Sequence, residues 1–252
     1  MKAIILAAGK GKRMGFKTNN KPKCLVRFNG KPIIDYILET LNVCGIDDII
    51  IVNGYKSEVL ETYLKGRNLR FITNKHFNTT NMVKTLFCAE SEMDDDLIIS
   101  YSDIIYKKEV LNKLINNHNE CAVIVDKNWR ELWNLRMENP LHDAETMKIN
   151  SDGNITELGN KPKSYEDIEA QYIGLIKFSL SSLKKIIPFY HSLNNSNNYD
   201  GRDFNNMYMT SFIQLIIDNI LSVRSEVING GWLEFDRIED LLIYEKTMIN
   251  KF

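Results

Sequence analysis

The first 34 residues of this chain hold nine Lys or Arg and no Asp or Glu. The cations are Lys2, Lys10, Lys12, Arg13, Lys17, Lys21, Lys23, Arg27 and Lys31. Inside this basic opening lies a short apolar run, Ala3-Ile4-Ile5-Leu6-Ala7-Ala8, followed by Gly9 and Gly11. A continuous apolar run of that length reads as a strand buried on both faces of a parallel sheet. A strand that empties into a glycine-containing, cationic, acid-free loop is suited to hold a polyphosphate. The whole chain carries −1, so residues 35–252 carry −10 and the positive charge is local. That distribution fits a small anionic ligand better than a duplex. A pI near 6.5 also argues against bulk nucleic-acid binding.

Other classes fall away quickly. At 252 residues the chain can bury one substantial core or two small ones. Apolar residues at 44% and charged residues at 26% match a soluble globular protein. No apolar run is long enough to span a bilayer, and the stretch after Lys2 is too short for a signal peptide. No membrane association is expected, and the cytoplasm is the expected location. Cys24, Cys44, Cys88 and Cys121 show no paired spacing, and the four histidines are scattered, so neither a disulfide framework nor a zinc site is expected.

Strand-like and helix-like segments alternate. Residues 2–7 read as a strand and 33–43 as a helix stopped by Gly45. Strands follow at 48–52, 69–73, 97–101 and 121–125, separated by helical stretches at 57–64, 82–91 and 108–117. This order implies an α/β fold with a doubly wound, mostly parallel sheet and ligands at the strand C-termini. From Trp129 to Gly174 the segments look shorter and more strand-like, with a turn at 151–154. We read residues 1–252 as a single domain with a small β-rich elaboration over about 127–178. Helices are expected over 180–190, over 207–219 and from Ile238, with late strands at 222–227 and 232–235.

Two familiar readings of the glycine loop fail. A dinucleotide fingerprint needs a third glycine at position 14, where Met14 stands, and an acid after the second strand, where Asn53 stands. A Walker loop needs Gly-Lys-Ser/Thr, but Gly15-Phe16-Lys17-Thr18 carries an inserted residue.

Residues 6–32, LAAGKGKRMGFKTNNKPKCLVRFNGKP, resemble the signature of the nucleoside-diphosphate-sugar pyrophosphorylase type of nucleotidyltransferase. Its pieces occur in order: Gly9/Gly11/Arg13, Thr18, Pro22-Lys23-Cys24-Leu25 and Gly30-Lys31-Pro32. Thr79-Thr80-Asn81, Tyr101-Ser102-Asp103, Asp126-Lys127-Asn128-Trp129, Gln171-Tyr172-Ile173-Gly174 and Glu234-Phe235-Asp236 resemble the small-molecule cytidylyltransferases of that superfamily, which activate phosphocholine or phosphonates. The resemblance implies a Rossmann-like fold and Mg²⁺-dependent transfer of CMP from CTP to a small phosphorylated acceptor. It implies nucleotide binding by Leu6, Ala8, Gly9, Lys10, Gly11, Lys12, Arg13, Lys23, Asn81, Ser102 and Asp103. Arg13 and Lys23 are the expected catalytic residues, a guanidinium fork and a point charge on the phosphates. Asp103 and Asp236 are the expected Mg²⁺ ligands; Glu234 is a competing ligand, and Asp236 could instead cap the following helix.

The acceptor region is expected to include Trp129, Arg130, Trp133, Asp143, Glu145, Lys161 and Tyr172. Trp129, Trp133 and Tyr172 could form an aromatic wall for a cation, or pack as core. Arg130 and Arg136 could meet a carboxylate, Asp143 and Glu145 an ammonium, and Lys161 the acceptor phosphate. Arginines beside the aromatic wall favour phosphoglutamine over phosphocholine, because choline has no carboxylate. The alternatives are phosphocholine or aminoethylphosphonate as acceptor, sugar-1-phosphate nucleotidyl transfer, and a nucleotide-binding regulatory protein without catalysis. An edge helix or the elaboration could support a homodimer.

Overall fold

The computed structural model describes residues 1–248; residues 249–252 of the expected domain lie outside the described residues. The elements in chain order begin with β1 (Lys2–Ala7), β2 (Arg27–Phe28), β3 (Lys31–Pro32), α1 (Ile33–Val43), β4 (Ile49–Asn53), α2 (Ser57–Tyr63) and β5 (Arg70–Thr73). Next come α3 (Met82–Phe87), β6 (Leu97–Tyr101), β7 (Ile104–Tyr106), α4 (Lys108–Ile115), β8 (Cys121–Asp126) and α5 (Trp129–Arg136). The remainder is β9 (Met147–Ile149), β10 (Ile155–Leu158), β11 (Gln171–Phe178), α6 (Leu180–Ser192), α7 (Met209–Asn219), β12 (Arg224–Ile228), β13 (Trp232–Glu234) and α8 (Ile238–Thr247).

Seven strands form the central sheet in the order β12-β8-β11-β6-β1-β4-β5. Every pair is parallel except those made by β11, which runs antiparallel between β8 and β6. β1 is buried on both faces, as its uninterrupted apolar run requires. Ala3, Ile5 and Ala7 join one core with α1 and α4, while Ile4 and Leu6 join another with α3, α6 and α7. Helices thus cover both faces, which is the doubly wound architecture.

The chain runs from β1 to β4 on one side and returns to β6 on the other, so the strand order reverses at β1. The crevice beyond the carboxyl ends of such strands is where open α/β sheets bind ligands. Gly9 and Gly11 emerge there from β1, and Ser102 and Asp103 emerge there from β6.

Three expectations need correction. Trp129–Arg136 is a helix rather than a strand-like segment, because Trp129, Leu132, Trp133 and Arg136 share one buried face at helical spacing. Residues 171–178, read as the end of the elaboration, form a strand within the central sheet, buried along most of its length. The helix expected over 82–91 ends at Phe87 and is followed by a separate 3₁₀ turn, Glu90–Glu92. The β9–β10 hairpin and α5 lie outside the central sheet.

Candidate active site

The glycine loop is held in shape before it meets any ligand. Gly11 adopts a left-handed conformation with φ of 59°, and a Cβ added there would lie 2.8 Å from the Cβ of Lys23. Glycine is therefore required twice at this position, for backbone conformation and for space. Thr18 is buried, and its hydroxyl donates to the carbonyls of Gly11 (3.1 Å) and Gly15 (3.2 Å). The motif threonine thus acts on the loop itself. The Tyr55 hydroxyl clamps the far end, donating to the carbonyls of Thr18 and Asn19.

Lys23 packs under this loop and extends to two carboxylates. Its ammonium lies 2.8 Å from Asp103 Oδ2 and 2.7 Å from Asp236 Oδ1, with the side chain only 11% exposed. Burial alone would lower its pKa, but the two carboxylates outweigh that and hold it above the ordinary lysine value. Lys23 is fully charged at any physiological pH.

Asp103 and Asp236 meet because of a short two-stranded ribbon. β13 pairs antiparallel with β7, with Glu234 opposite Ile104, and the Phe235 N–H donates to the Asp103 carbonyl (2.9 Å). Asp103 precedes one strand and Asp236 follows the other, so pairing brings both carboxylates to the same end. The helix-capping alternative for Asp236 falls: Asp240 Oδ2 accepts from the N–H groups of Asp236 (2.7 Å) and Arg237 (2.9 Å). The Asp236 side chain instead faces Lys23 and Arg13. Lys23 and Arg13 pull its pKa below the ordinary value against the effect of burial, and Arg13 Nη1 lies 2.9 Å from its Oδ2.

A cleft of about 290 Å³ lies over these groups. Leu6, Ala8, Gly9, Gly11, Lys12, Arg13, Lys23, Asn81, Ser102, Asp103 and Asp236 all line it. Lys10 does not; its ammonium sits 5.8 Å over the Tyr55 ring and 5.9 Å over that of Phe77. Phe77, Thr80 and Thr85 also line the cleft and were not singled out in the sequence. Thr80 was visible only as a neighbour of Asn81 in the matched segment. Cys24, beside Lys23, is no nucleophile, since burial pushes its thiol up to about 12.

A second cleft of about 320 Å³ adjoins the first and shares Arg13, Asn81, Met82 and Asp236 with it. Trp133, Asp143, Glu145 and Tyr172 line it as expected acceptor residues. Tyr208, Thr210 and Trp232 line it without having been singled out, and Tyr101 and Gln171, named only as members of matched segments, line it as well. Gln171 clamps the Glu145 backbone, accepting from its N–H (3.0 Å) and donating to its carbonyl (2.5 Å). The Thr210 hydroxyl reaches Glu145 Oε1 at 3.4 Å. Burial pushes the Glu145 carboxyl up to about 7, helped by the nearby negative charge of Asp143 and Asp200. Asp126 supports the wall from behind: its carboxylate accepts from the Trp232 indole (2.8 Å) and from the N–H groups of Gly230 and Asn128.

Three expected acceptor residues lie elsewhere. Arg130 is on the outer face of α5, its guanidinium stacked 3.6 Å over the Tyr165 ring, and it lines neither cleft. Trp129 is buried behind Trp133, edge-on to it and tilted against Tyr165. Lys161 spends its ammonium on the carbonyls of Leu141 (2.6 Å) and His142 (2.7 Å). Arg136 is committed to carboxylates of its own chain, Glu234 and Asp240.

The residues fit a divalent cation. Asp103 Oδ1 is buried without a hydrogen-bond partner, and a cation, the Lys23 ammonium, already bridges the two carboxylates. No group of three or more His, Cys, Asp or Glu among the described residues forms a closed cage. Two carboxylates, with phosphate oxygens and waters completing the shell, is the arrangement that suits Mg²⁺.

The MobA-like NTP transferase domain family matches residues 3–148. CTP:phosphoglutamine cytidylyltransferase of Campylobacter jejuni is 46% identical over 248 residues, covering 96% of this chain and 98% of that protein. Choline-phosphate cytidylyltransferase of Streptococcus pneumoniae is 39% identical over 115 residues, 45% of this chain and 50% of that one. Among solved structures, the CTP:phosphocholine cytidylyltransferase from Streptococcus pneumoniae superposes with a TM-score of 0.71 at 23% identity, covering 97% of each chain. The inositol-1-phosphate CTP transferase from T. maritima gives a TM-score of 0.74 at 19% identity, covering 98% of this chain and 96% of that one. At those identities the likeness of structure speaks to the fold.

Proposed function

Since this chain belongs to the MobA-like NTP transferase family and is a nucleotidyltransferase, we propose that it transfers CMP from CTP to phosphoglutamine with release of pyrophosphate. The single observation that carries nucleotidyl transfer to a small phosphorylated amine is the pair of clefts joined at Arg13 and Asp236, one cationic and glycine-lined, the other aromatic and acidic. With Arg130 and Arg136 outside both clefts, the choice of phosphoglutamine rests on the similarity to its cytidylyltransferase. The 46% identity to a CTP:phosphoglutamine cytidylyltransferase over nearly the whole chain supports both substrates.

In this reading the triphosphate lies against Gly9–Arg13. A nucleoside triphosphate brings about four negative charges and a phosphorylated acceptor about 1.5 to 2 more. The loop N–H groups, Arg13 and Lys23 offset that charge. An acceptor phosphate oxygen attacks the α-phosphorus of CTP in line. The new phosphorus–oxygen bond forms as the bond to the β-phosphate oxygen breaks, and pyrophosphate leaves toward the glycine loop. The attacking phosphate is mostly dianionic near neutral pH, so no general base is needed. Catalysis rests on positioning and on charge stabilisation. Asp103 and Asp236 would hold Mg²⁺, which when bound would neutralise charge on the phosphates.

Glu145 and Asp143 face the ammonium of the acceptor, and Trp133, Tyr172 and Trp232 enclose its carbon skeleton. We read residues 1–252 as one nucleotidyltransferase domain, in which α5, the segment at Asp143–Glu145 that leads into β9 and the start of β11 contribute to the acceptor cleft. The nucleotide half of the reading is tested by pyrophosphate release and by calorimetric binding with CTP, UTP and dTTP in turn. A clear preference for CTP is expected; a preference for UTP or dTTP would move the protein to the sugar-phosphate branch.

A further inference from the structure

We propose that Arg136 is a positioning residue for nucleotidyl transfer, fixing the carboxylate pair through Glu234 and Asp240. The inference rests on the reading of Asp103 and Asp236 as the metal-holding pair. Arg136 lines neither cleft and touches no substrate position. Its side chain is 1% exposed, so its charge must be matched inside the protein.

The matching groups are specific. Nε and Nη2 make a two-pronged contact with Asp240, at 3.1 Å to Oδ1 and 3.3 Å to Oδ2. Nη1 donates to Glu234 Oε2 at 2.5 Å. Nη2 also stands 3.8 Å from Asp236 Oδ2. Asp240 Oδ2 is the same atom that receives the Asp236 and Arg237 N–H groups. One planar guanidinium therefore orients the carboxylate that fixes the Asp236 backbone, and also holds Glu234, two residues earlier.

The same residue reaches the acceptor side. Arg136 follows Trp133 by three positions on α5, and its guanidinium carbon lies 5.2 Å from the centroid of the Trp133 ring. Trp133 lines the acceptor cleft. α5 thus connects the acceptor wall to the Asp236 end of the carboxylate pair through the Arg136 guanidinium, beside the packing of Trp133 on Trp232. A lysine could supply the charge but could not span Asp240, Glu234 and the Trp133 face together.

The test uses the full chain with Arg136→Lys, Arg136→Gln and the double variant Arg136→Gln/Asp240→Asn, which removes the buried charge in matched pairs. Mn²⁺ affinity is read by electron paramagnetic resonance of free Mn²⁺ in the presence of CTP without acceptor. kcat and the KM values for CTP and acceptor are measured separately. Loss of a group that orients a metal ligand typically costs about 10–100-fold in metal affinity or activity. We expect that loss in Mn²⁺ affinity and in kcat for every variant that melts cooperatively, with KM for CTP changed by less than about threefold. Wild-type Mn²⁺ affinity and kcat in Arg136→Lys would overturn the proposal, showing that only charge matters there. Wild-type values in a folded double variant would overturn it as well. Because the Mn²⁺ titration needs no acceptor, a wrong acceptor assignment would leave this result readable, and failure of CTP to bind the wild type would indict the nucleotide reading instead.

Discussion

Gly11 and Lys23 are packed so tightly that a methyl group on the first would lie 2.8 Å from the Cβ of the second. The contact is at the root of the lysine side chain, which cannot swing aside. Gly11→Ala must also place an L-residue at φ of 59°, at a cost of about 1–2 kcal/mol. We expect a kcat reduced by about tenfold or more and a melting temperature lowered by a few degrees (about 2–4 °C per kcal/mol in a chain of this size). A variant with wild-type kcat would show that the loop does not set the lysine.

Lys23 occupies the space between the two carboxylates that are also the proposed metal ligands. In Lys23→Met, turnover should fall by about 10²–10³, as for other well-placed electrostatic groups. Without its ammonium Asp103 loses its ion-pair partner while Asp236 keeps only Arg13 and the more distant Arg136, so the variant should be less stable than wild type. Mg²⁺ alone, without nucleotide, should raise its melting temperature more than that of the wild type. Equal responses to Mg²⁺ in the two proteins would separate the lysine site from the metal site.

Glu145 gives a pH dependence with a definite sign. Its carboxyl is pushed up from the usual value near 4.5 to about 7 by burial. An ammonium-bearing acceptor binds the ionised form, so the acceptor KM should fall as pH rises through about 7. The folded state binds the proton more tightly than the unfolded chain, so this group favours folding at low pH and loses that contribution as pH rises from about 4.5 to 7. Glu145→Gln should therefore raise the acceptor KM, remove its pH dependence and raise the melting temperature at pH 8. An unchanged acceptor KM would remove Glu145 from the acceptor site.

Arg130 is expected to matter little. Stacked on Tyr165 outside both clefts, it resembles an ordinary surface arginine, whose replacement changes free energies by about 0.5 kcal/mol or less. Arg130→Ala should leave the acceptor KM within about twofold of wild type. A rise of tenfold would restore it as the reader of an acceptor carboxylate.

The sequence made one half of the site far more legible than the other, and the reason is physical. Gly9, Gly11, Arg13 and Lys23 lie within one local motif whose spacing is set by a strand and a tight loop. Asp103 could be placed because it ends an apolar strand. The partners of Asp236 could not, because they depend on the β7–β13 pairing and on α5 reaching α8. Trp129 and Arg130 are assigned to the acceptor on residue type, as an aromatic wall and a carboxylate partner, and residue type does not say which of them faces the cleft. In a helix, Trp133 and Arg136 turn inward while residue 130 turns to solvent. The place of β11 was hidden for a similar reason: an antiparallel strand inserted among parallel ones leaves no local signature. Its irregular register near Gly174, where the Tyr101 ring packs against the glycine, adds to the difficulty.

The most direct test is a competition assay with CTP, Mg²⁺, and phosphoglutamine and phosphocholine at equal concentration, following pyrophosphate and identifying products by mass. One pyrophosphate should appear for each CMP transferred, and the phosphoglutamine adduct should dominate. Dominance of the phosphocholine product would contradict the acceptor assignment. Turnover of UTP or dTTP with a hexose phosphate, and none of CTP with either acceptor, would contradict the account as a whole.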